Sequence, residues 1–89
     1  MKITVHYQDI HETLEARDAN DALSRFKAEV AKRAPMLARP IIKAMGDLKF
    51  AGEAVARFNQ KSGRQDPAPT SAQEFLDWAV ARGLVTIEN

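Results

Sequence analysis

The chain of 89 residues contains two histidines, His6 and His11, and their type and spacing match those of a metal-binding pair. If a two-residue turn joins two short strands here, the imidazoles lie opposite each other on the outer face of the sheet, with Cβ atoms about 5 Å apart. Imidazole nitrogen suits Zn²⁺, Cu²⁺ or Ni²⁺, and Asp9 or Glu12 would add an oxygen ligand. Two exposed histidines on a solvated hairpin give the same pattern. Because two ligands form only an incidental site and a shift of register would separate them, the sequence favours the solvated interpretation and predicts no cofactor.

Basic residues on a predicted long helix form the second candidate site. At about 100° per residue, six positions in and around this helix fall within a sector of about 60°. They are Arg39, Lys43, Phe50, Arg57, Lys61 and Arg64. Such a face would bind phosphates, with Phe50 stacking on a base or filling an apolar slot on a partner. The alternative, which the sequence favours, is a solubilising surface with Phe50 covered by a neighbouring element.

The sequence contains no known catalytic motif. It has no cysteine, which excludes disulfides, thiolate zinc sites and cysteine nucleophiles. It also has no G-x-S-x-G motif, glycine-rich phosphate loop, H-E-x-x-H motif or EF-hand loop. Helix and loop signals explain the three serines, Ser24, Ser62 and Ser71. We therefore expect a protein that is not an enzyme.

Alternating apolar and polar residues predict a hairpin over residues 2–16, with Gln8-Asp9 as its turn. In the register of a two-residue turn, the facing pairs are Lys2–Glu15, Ile3–Leu14, Thr4–Thr13, Val5–Glu12, His6–His11 and Tyr7–Ile10. The Lys–Glu and Thr–Thr pairs favour this register, because such cross-strand partners attract each other. The position of Glu12 among apolar residues argues against it.

Three helices and a final strand follow the hairpin. The helices are predicted over about 19–34, about 40–61 and about 72–82, with a loop at 62–70 and a strand at 84–88. Asp18 or Asn20 would cap the first helix, and the S-x-x-E sequence ending at Glu74 is a capping box for the third. Gly46 and Gly52 lie within the second helix, so a kink or break near Gly46 is the alternative to a continuous helix.

The element order ββαααβ predicts a single α+β domain over residues 1–89. A two-stranded hairpin is weak alone, so the C-terminal strand is expected beside the first strand, giving a three-stranded sheet with helices packed on one face. The hairpin and the helix after it, about a third of the chain, resemble the start of β-grasp, ubiquitin-like domains. This resemblance carries no motif and implies no function.

Charge is segregated along the chain, although the net charge is only +1. Residues 23–64 hold ten basic and three acidic side chains, whereas residues 1–22 hold two and five, and residues 65–89 hold one and four. The basic middle is either a surface for an acidic partner or is neutralised when the acidic ends fold over it.

These observations lead to two hypotheses of function, and neither identifies a partner or an oligomeric state. The first is a small non-catalytic protein–protein interaction module or subunit, which docks through a helix face or the edge of the sheet. The alternative is a nucleic-acid-binding domain that uses the basic face of the long helix. Because the chain has no signal-peptide pattern and no run of about 20 apolar residues, we expect a soluble cytoplasmic protein without a membrane partner.

Overall fold

The first strand lies at the centre of a three-stranded antiparallel sheet. In the computed structural model, which describes residues 1–7 and 10–88, β1 (Lys2–Tyr7) pairs with β2 (Ile10–Glu15) on one side and β3 (Val85–Glu88) on the other. Ile3 and Val5 of β1 are fully buried. The predicted α+β fold, with the hairpin and the C-terminal strand in one sheet, is therefore confirmed.

The register between β1 and β2 is the predicted one at all six positions, from Lys2–Glu15 to Tyr7–Ile10. The predicted turn, Gln8-Asp9, lies outside the described residues. Glu12 is opposite the buried Val5, yet it is itself exposed because β2 is an edge strand. Its carboxylate accepts a hydrogen bond of 2.7 Å from Arg33, so an ion pair accommodates the one charged residue on this side of β2.

Four helices occupy the segment between β2 and β3. They are α1 (Ala19–Arg33), α2 (Arg39–Ala44), α3 (Asp47–Ser62) and α4 (Ala72–Ala81). Asp18 caps α1 by accepting from the backbone N–H of Asp21, and Ser71 caps α4 by accepting from that of Glu74. The Glu74 carboxylate accepts from the backbone and hydroxyl of Thr70, one residue before the position that a capping box predicts. No helix within the described ranges is long and apolar enough to cross a membrane.

The segment predicted as one helix over about 40–61 is two helices, α2 and α3. Met45 and Gly46 both have extended backbone, with ψ of 136° and 151°, so the chain turns there as the alternative prediction describes. The turn changes which side of the following helix faces inward. Phe50 is buried on α3, whereas the apolar side chains of Ile41 and Leu48 are 65% and 45% exposed.

Five aromatic rings connect the helices in the core. Phe26 of α1 contacts Phe50 of α3 and Phe75 of α4, with ring centroids 5.9 and 5.8 Å apart. Trp78 stacks on Phe75 at 5.7 Å and forms a T-shaped pair with Phe58 at 5.3 Å. These contacts join the cluster beneath the sheet to the cluster between the helices, because Phe26 and Trp78 pack against both.

Asp66 fixes the loop between α3 and α4, which the sequence predicts at residues 62–70. Its carboxylate accepts two hydrogen bonds from Arg82, at 3.0 and 3.1 Å, and one of 2.9 Å from the indole N–H of Trp78. Its backbone N–H donates to the side-chain oxygen of Asn59, and the Asn59 amide donates to its carbonyl. The side chain of Asp66 is only 12% exposed, so the loop is anchored to both helices.

We expect the Asp66 contacts to make stability depend on pH in acid. Hydrogen bonds from Arg82, then from Trp78 and Arg64, hold the pKa of Asp66 well below its usual range. The stabilisation is complete above the unfolded-state pKa of about 3.9 and is lost as the pH falls toward the folded-state value. Asp66→Asn should therefore lower the melting temperature by several degrees at pH 7, with a difference from wild type that shrinks below pH 4. The exposed Asp77, substituted to Asn, is the control, and a pH-independent difference for Asp66→Asn would contradict this role.

Two glycines should respond to alanine with opposite signs. At Gly52, inside α3, a Cβ would lie 3.7 Å from the Ala68 Cβ, which is ordinary contact. Gly52→Ala should therefore stabilise the fold by about 0.5–1 kcal/mol, since glycine is a poor helix former. Gly63 ends α3 with φ of +74°, so Gly63→Ala should destabilise by about 1–2 kcal/mol. Urea denaturation measures both changes, and a loss of stability in Gly52→Ala would show that the loop leaves no room for the methyl group.

Candidate binding cleft

The structure places His6 and His11 directly opposite each other on the exposed face of the sheet, as predicted. Their ring centroids are 6.4 Å apart with an interplanar angle of 62°. Glu12, proposed as an oxygen ligand, is bound to Arg33 instead, and Asp9 lies outside the described residues. Among the described residues, no group of three or more histidine, cysteine or acidic side chains is placed to hold a metal ion.

The six residues of the predicted basic face do not share one surface. Arg39 and Lys43 are on α2, and the Arg39 guanidinium donates to the carbonyl of Ala34. Arg64 follows the end of α3 and pairs with Asp66. Phe50 is 6% exposed and packs against Phe26 of α1. It therefore cannot stack on a base, and the structure agrees with the interpretation that the sequence favours, in which a neighbouring element covers Phe50. The physical reason is the turn at Gly46, which divides the helix and rotates Phe50 inward.

Arg57 and Lys61 remain together, and they line a cleft between α1, α2 and α3. The cleft has a volume of about 470 Å³. Its floor is apolar and consists of Val30, Ala38, Ile42, Met45, Phe50 and Ala54, while Tyr7 and Ile10 of the hairpin also line it. Its rim is polar and consists of Arg33, Glu53, Arg57, Gln60 and Lys61. Sequence reasoning missed this cleft, because its walls come from segments far apart in the chain.

One stripe of α3 forms a complete wall of the cleft. Its members follow the three- and four-residue spacing of one helix face: Phe50, Glu53, Ala54, Arg57, Gln60 and Lys61. At a rise of about 1.5 Å per residue, this wall is about 16 Å long. This wall has the length of about three helical turns, with the buried Phe50 at one end and the cations Arg57 and Lys61 toward the other.

Lys27 of α1 fixes the corner where α2 ends and α3 begins. Its ammonium group donates to the carbonyl of Met45 at 2.7 Å and pairs with the carboxylate of Asp47 at 2.8 Å. The Ser24 hydroxyl donates to the other oxygen of Asp47. Hydrogen bonds from Lys27 and then from Ser24 hold the pKa of Asp47 below its usual range. No local sequence signal points to this contact, since Lys27 and Met45 are 18 residues apart.

The cations on the rim differ in how they are neutralised. Arg33 pairs with Glu12 at 2.7 Å and lies 3.9 Å from Glu29. Arg57 and Lys61 form no ion pair with any carboxylate among residues 1–7 and 10–88. Both side chains belong to exposed residues. The cleft therefore combines an apolar floor with two positive charges that the described part of the protein does not neutralise.

Opposite α3, the cleft is bounded by α2 and the segment before it, and this part of the chain exposes further apolar residues to solvent. Met36, Leu37 and Ile41 are 79%, 88% and 65% exposed, and they alternate along the chain with residues that line the cleft, such as Ala38 and Ile42. Exposed apolar residues that adjoin a cleft are typical of binding surfaces.

Comparison with known proteins gives no further information on function. Neither protein-family models nor curated protein sequences nor solved structures match this chain. The resemblance of the hairpin and first helix to β-grasp domains thus gains no support from a matching structure. The chemistry of the cleft is the basis for inferring a function.

We expect Lys27→Met to loosen the corner between α2 and α3, beside the cleft. The substitution keeps most of the aliphatic chain but removes both contacts of the ammonium group, so the free energy of unfolding should fall by about 1–2 kcal/mol. Amide NMR shifts should concentrate around the turn at Met45 and Gly46. Lys32→Met is the matched control, because Lys32 is an exposed residue of the same helix without a described ion pair. Equal losses in the two variants would contradict this role for Lys27.

Proposed function

We propose that this chain is a non-catalytic protein-interaction module whose cleft receives an acidic, amphipathic helix of a partner protein. The observation that carries the proposal is the combination of an apolar floor with Arg57 and Lys61 on its rim. A helix with apolar residues on one face and carboxylates beside them complements both features.

The dimensions of the cleft support a helical ligand. Its volume of about 470 Å³ is large enough for several apolar side chains. Helices that bind in grooves insert residues at positions i, i+3 or i+4, and i+7, which span about 10 Å along the helix axis. The wall formed by α3 is long enough to contact all of these positions.

The charges on the rim predict an orientation of the ligand. Arg57 and Lys61 lie toward the C-terminal end of α3, whereas Glu53 lies one turn before Arg57. A carboxylate beside Glu53 would be repelled, and one beside Lys61 would be attracted. We therefore expect the acidic residues of the ligand to contact the Lys61 end of the cleft, with its apolar anchors over Ala54 and Phe50.

The composition of the cleft supports binding rather than catalysis. None of the described residues that line it is a serine, threonine, cysteine or histidine, and Glu53 is the single carboxylate among them. Nucleophilic catalysis needs a nucleophile with a base within hydrogen-bond reach, and general acid–base catalysis needs a group with a suitable pKa beside the substrate. This composition supports a module that binds without catalysing a reaction.

A selection from a peptide library tests the proposal. The library would display peptides of 15 residues with apolar residues at helical spacing, and with Asp, Glu, Lys or Ser at the remaining positions. We expect enriched peptides to be acidic and to shift the amide NMR signals of Ala38, Ala54 and Lys61. Peptides without acidic bias, or shifts confined to α4 and β3, would contradict the proposal. A single-stranded DNA oligonucleotide of 12 nucleotides that shifts the same signals more strongly would favour nucleic-acid binding, and self-association in sedimentation would assign the cleft to a second copy.

Reversal of the rim charges should weaken peptide binding selectively. We expect Arg57→Glu combined with Lys61→Glu to raise the Kd of the selected acidic peptide at least about tenfold, since attraction becomes repulsion. Lys43→Glu combined with Lys49→Glu is the matched control, because it makes the same change in net charge at residues that do not line the cleft. Calorimetric titration measures both variants, and an equal loss in the control would show that total charge, not the cleft, determines binding.

A further inference from the structure

The pairing of β1 with β2 brings His6 and His11 into the closer of the two cross-strand arrangements. Met1 and Ala16 exchange both backbone hydrogen bonds, at 3.0 and 2.9 Å. Because hydrogen-bonded and non-hydrogen-bonded pairs alternate along an antiparallel ladder, the His6–His11 pair is of the non-hydrogen-bonded kind. Cα atoms in such pairs are about 4.5 Å apart, and their side chains are correspondingly close.

Both imidazoles are open to solvent and need only side-chain rotation to share an ion. The two residues are exposed, with ring centroids 6.4 Å apart. Zn²⁺ binds histidine nitrogen at about 2.0–2.1 Å, so two nitrogens on one ion lie about 3 Å apart. Rotation about the Cα–Cβ and Cβ–Cγ bonds of His11, whose ring has no described hydrogen bond, would bring its nitrogen toward His6 without moving the strands.

Thr86 of β3 provides a partner for the second nitrogen of His6. Its hydroxyl oxygen lies 3.2 Å from His6 Nε2, and it accepts a hydrogen bond when that nitrogen carries the proton. The lone pair of the neutral ring is then on Nδ1. Histidines that bind metals usually donate their other N–H to a nearby acceptor, which fixes the tautomer and the ring orientation. Contacts of this kind typically change metal affinity by about 10–100-fold when removed.

We propose that His6 and His11 form a binding site for a divalent transition-metal ion, Cu²⁺, Ni²⁺ or Zn²⁺, with Thr86 as a positioning residue. Imidazole nitrogen favours these ions over Mg²⁺ and Ca²⁺, which prefer oxygen. Water or a group from another molecule occupies the remaining coordination positions. The ion links β1 to β2 beside Tyr7 and Ile10, which line the cleft on the opposite face. It stabilises the folded protein, since the unfolded chain does not hold the two rings together.

Titration of the full chain with CuSO₄, NiCl₂ or ZnSO₄ tests the site. We expect one ion per chain, an increase in Tm, and shifts of both imidazole signals in NMR spectra. The Cu²⁺ complex should show hyperfine coupling to two imidazole nitrogens in electron paramagnetic resonance. MgCl₂ should have no effect, because Mg²⁺ prefers oxygen ligands to imidazole nitrogen. A shift confined to one imidazole signal would overturn the proposal.

Substitutions separate the two-histidine site from binding by a single ring. His6→Gln and His11→Gln should each raise the Kd at least about tenfold, because each leaves a single imidazole ligand. Wild-type affinity in either variant would overturn the proposal. Thr86→Val should weaken binding while keeping the two-nitrogen signal, whereas Thr13→Val, on the same face of the sheet, should leave affinity unchanged. Unchanged affinity in Thr86→Val would remove Thr86 from the site. Far-UV circular dichroism confirms that each variant is folded.

Discussion

The ammonium group of Lys27 fixes the corner between α2 and α3, and the way in which the helices pack depends on that corner. The carbonyl of Met45 follows the last residue of α2, and Asp47 is the first residue of α3, so one cation from α1 binds both sides of the turn. Because the helix stops here and starts again in a new direction, Phe50 packs against Phe26 in the core. The same turn leaves α2 and α3 apart from each other, and the cleft lies between them.

The alternation of side chains along β1 and β2 places two different surfaces on one hairpin. His6 and His11 point outward from the sheet. The residue adjacent to each of them, Tyr7 in β1 and Ile10 in β2, lines the cleft on the inner side. Their register therefore positions the proposed metal site and one end of the proposed peptide site together. A shift by one residue would exchange the two faces and remove both arrangements.

The uneven distribution of charge along the chain is partly neutralised by folding. Arg33 from the basic middle pairs with Glu12 from the acidic N-terminal segment, and Arg64 pairs with Asp66 from the acidic C-terminal segment. For Arg33 and Arg64, folding therefore neutralises the basic middle of the chain with the acidic ends, which is one of the two interpretations that the sequence allows. Arg57 and Lys61 on the rim of the cleft have no such partner in the described ranges. An acidic ligand would neutralise these two charges.

The sequence by itself determined the starts of α1 and α4 and the position of the final strand beside β1, because these features depend on capping residues and on period. It favoured the observed hairpin register through the Lys2–Glu15 and Thr4–Thr13 pairs, but Glu12 among apolar residues argued against that register, and only the tertiary structure decided it. The sequence allowed both a continuous helix and a break at Gly46, and the extended backbone of Met45 and Gly46 shows that the break forms. The contact that holds this turn comes from Lys27, 18 residues from Met45, and no local pattern predicts it. The role of Asp66 likewise depends on Arg82, 16 residues away. The cleft combines residues from Tyr7 to Lys61, and no local pattern encodes a surface that exists only when three helices pack together.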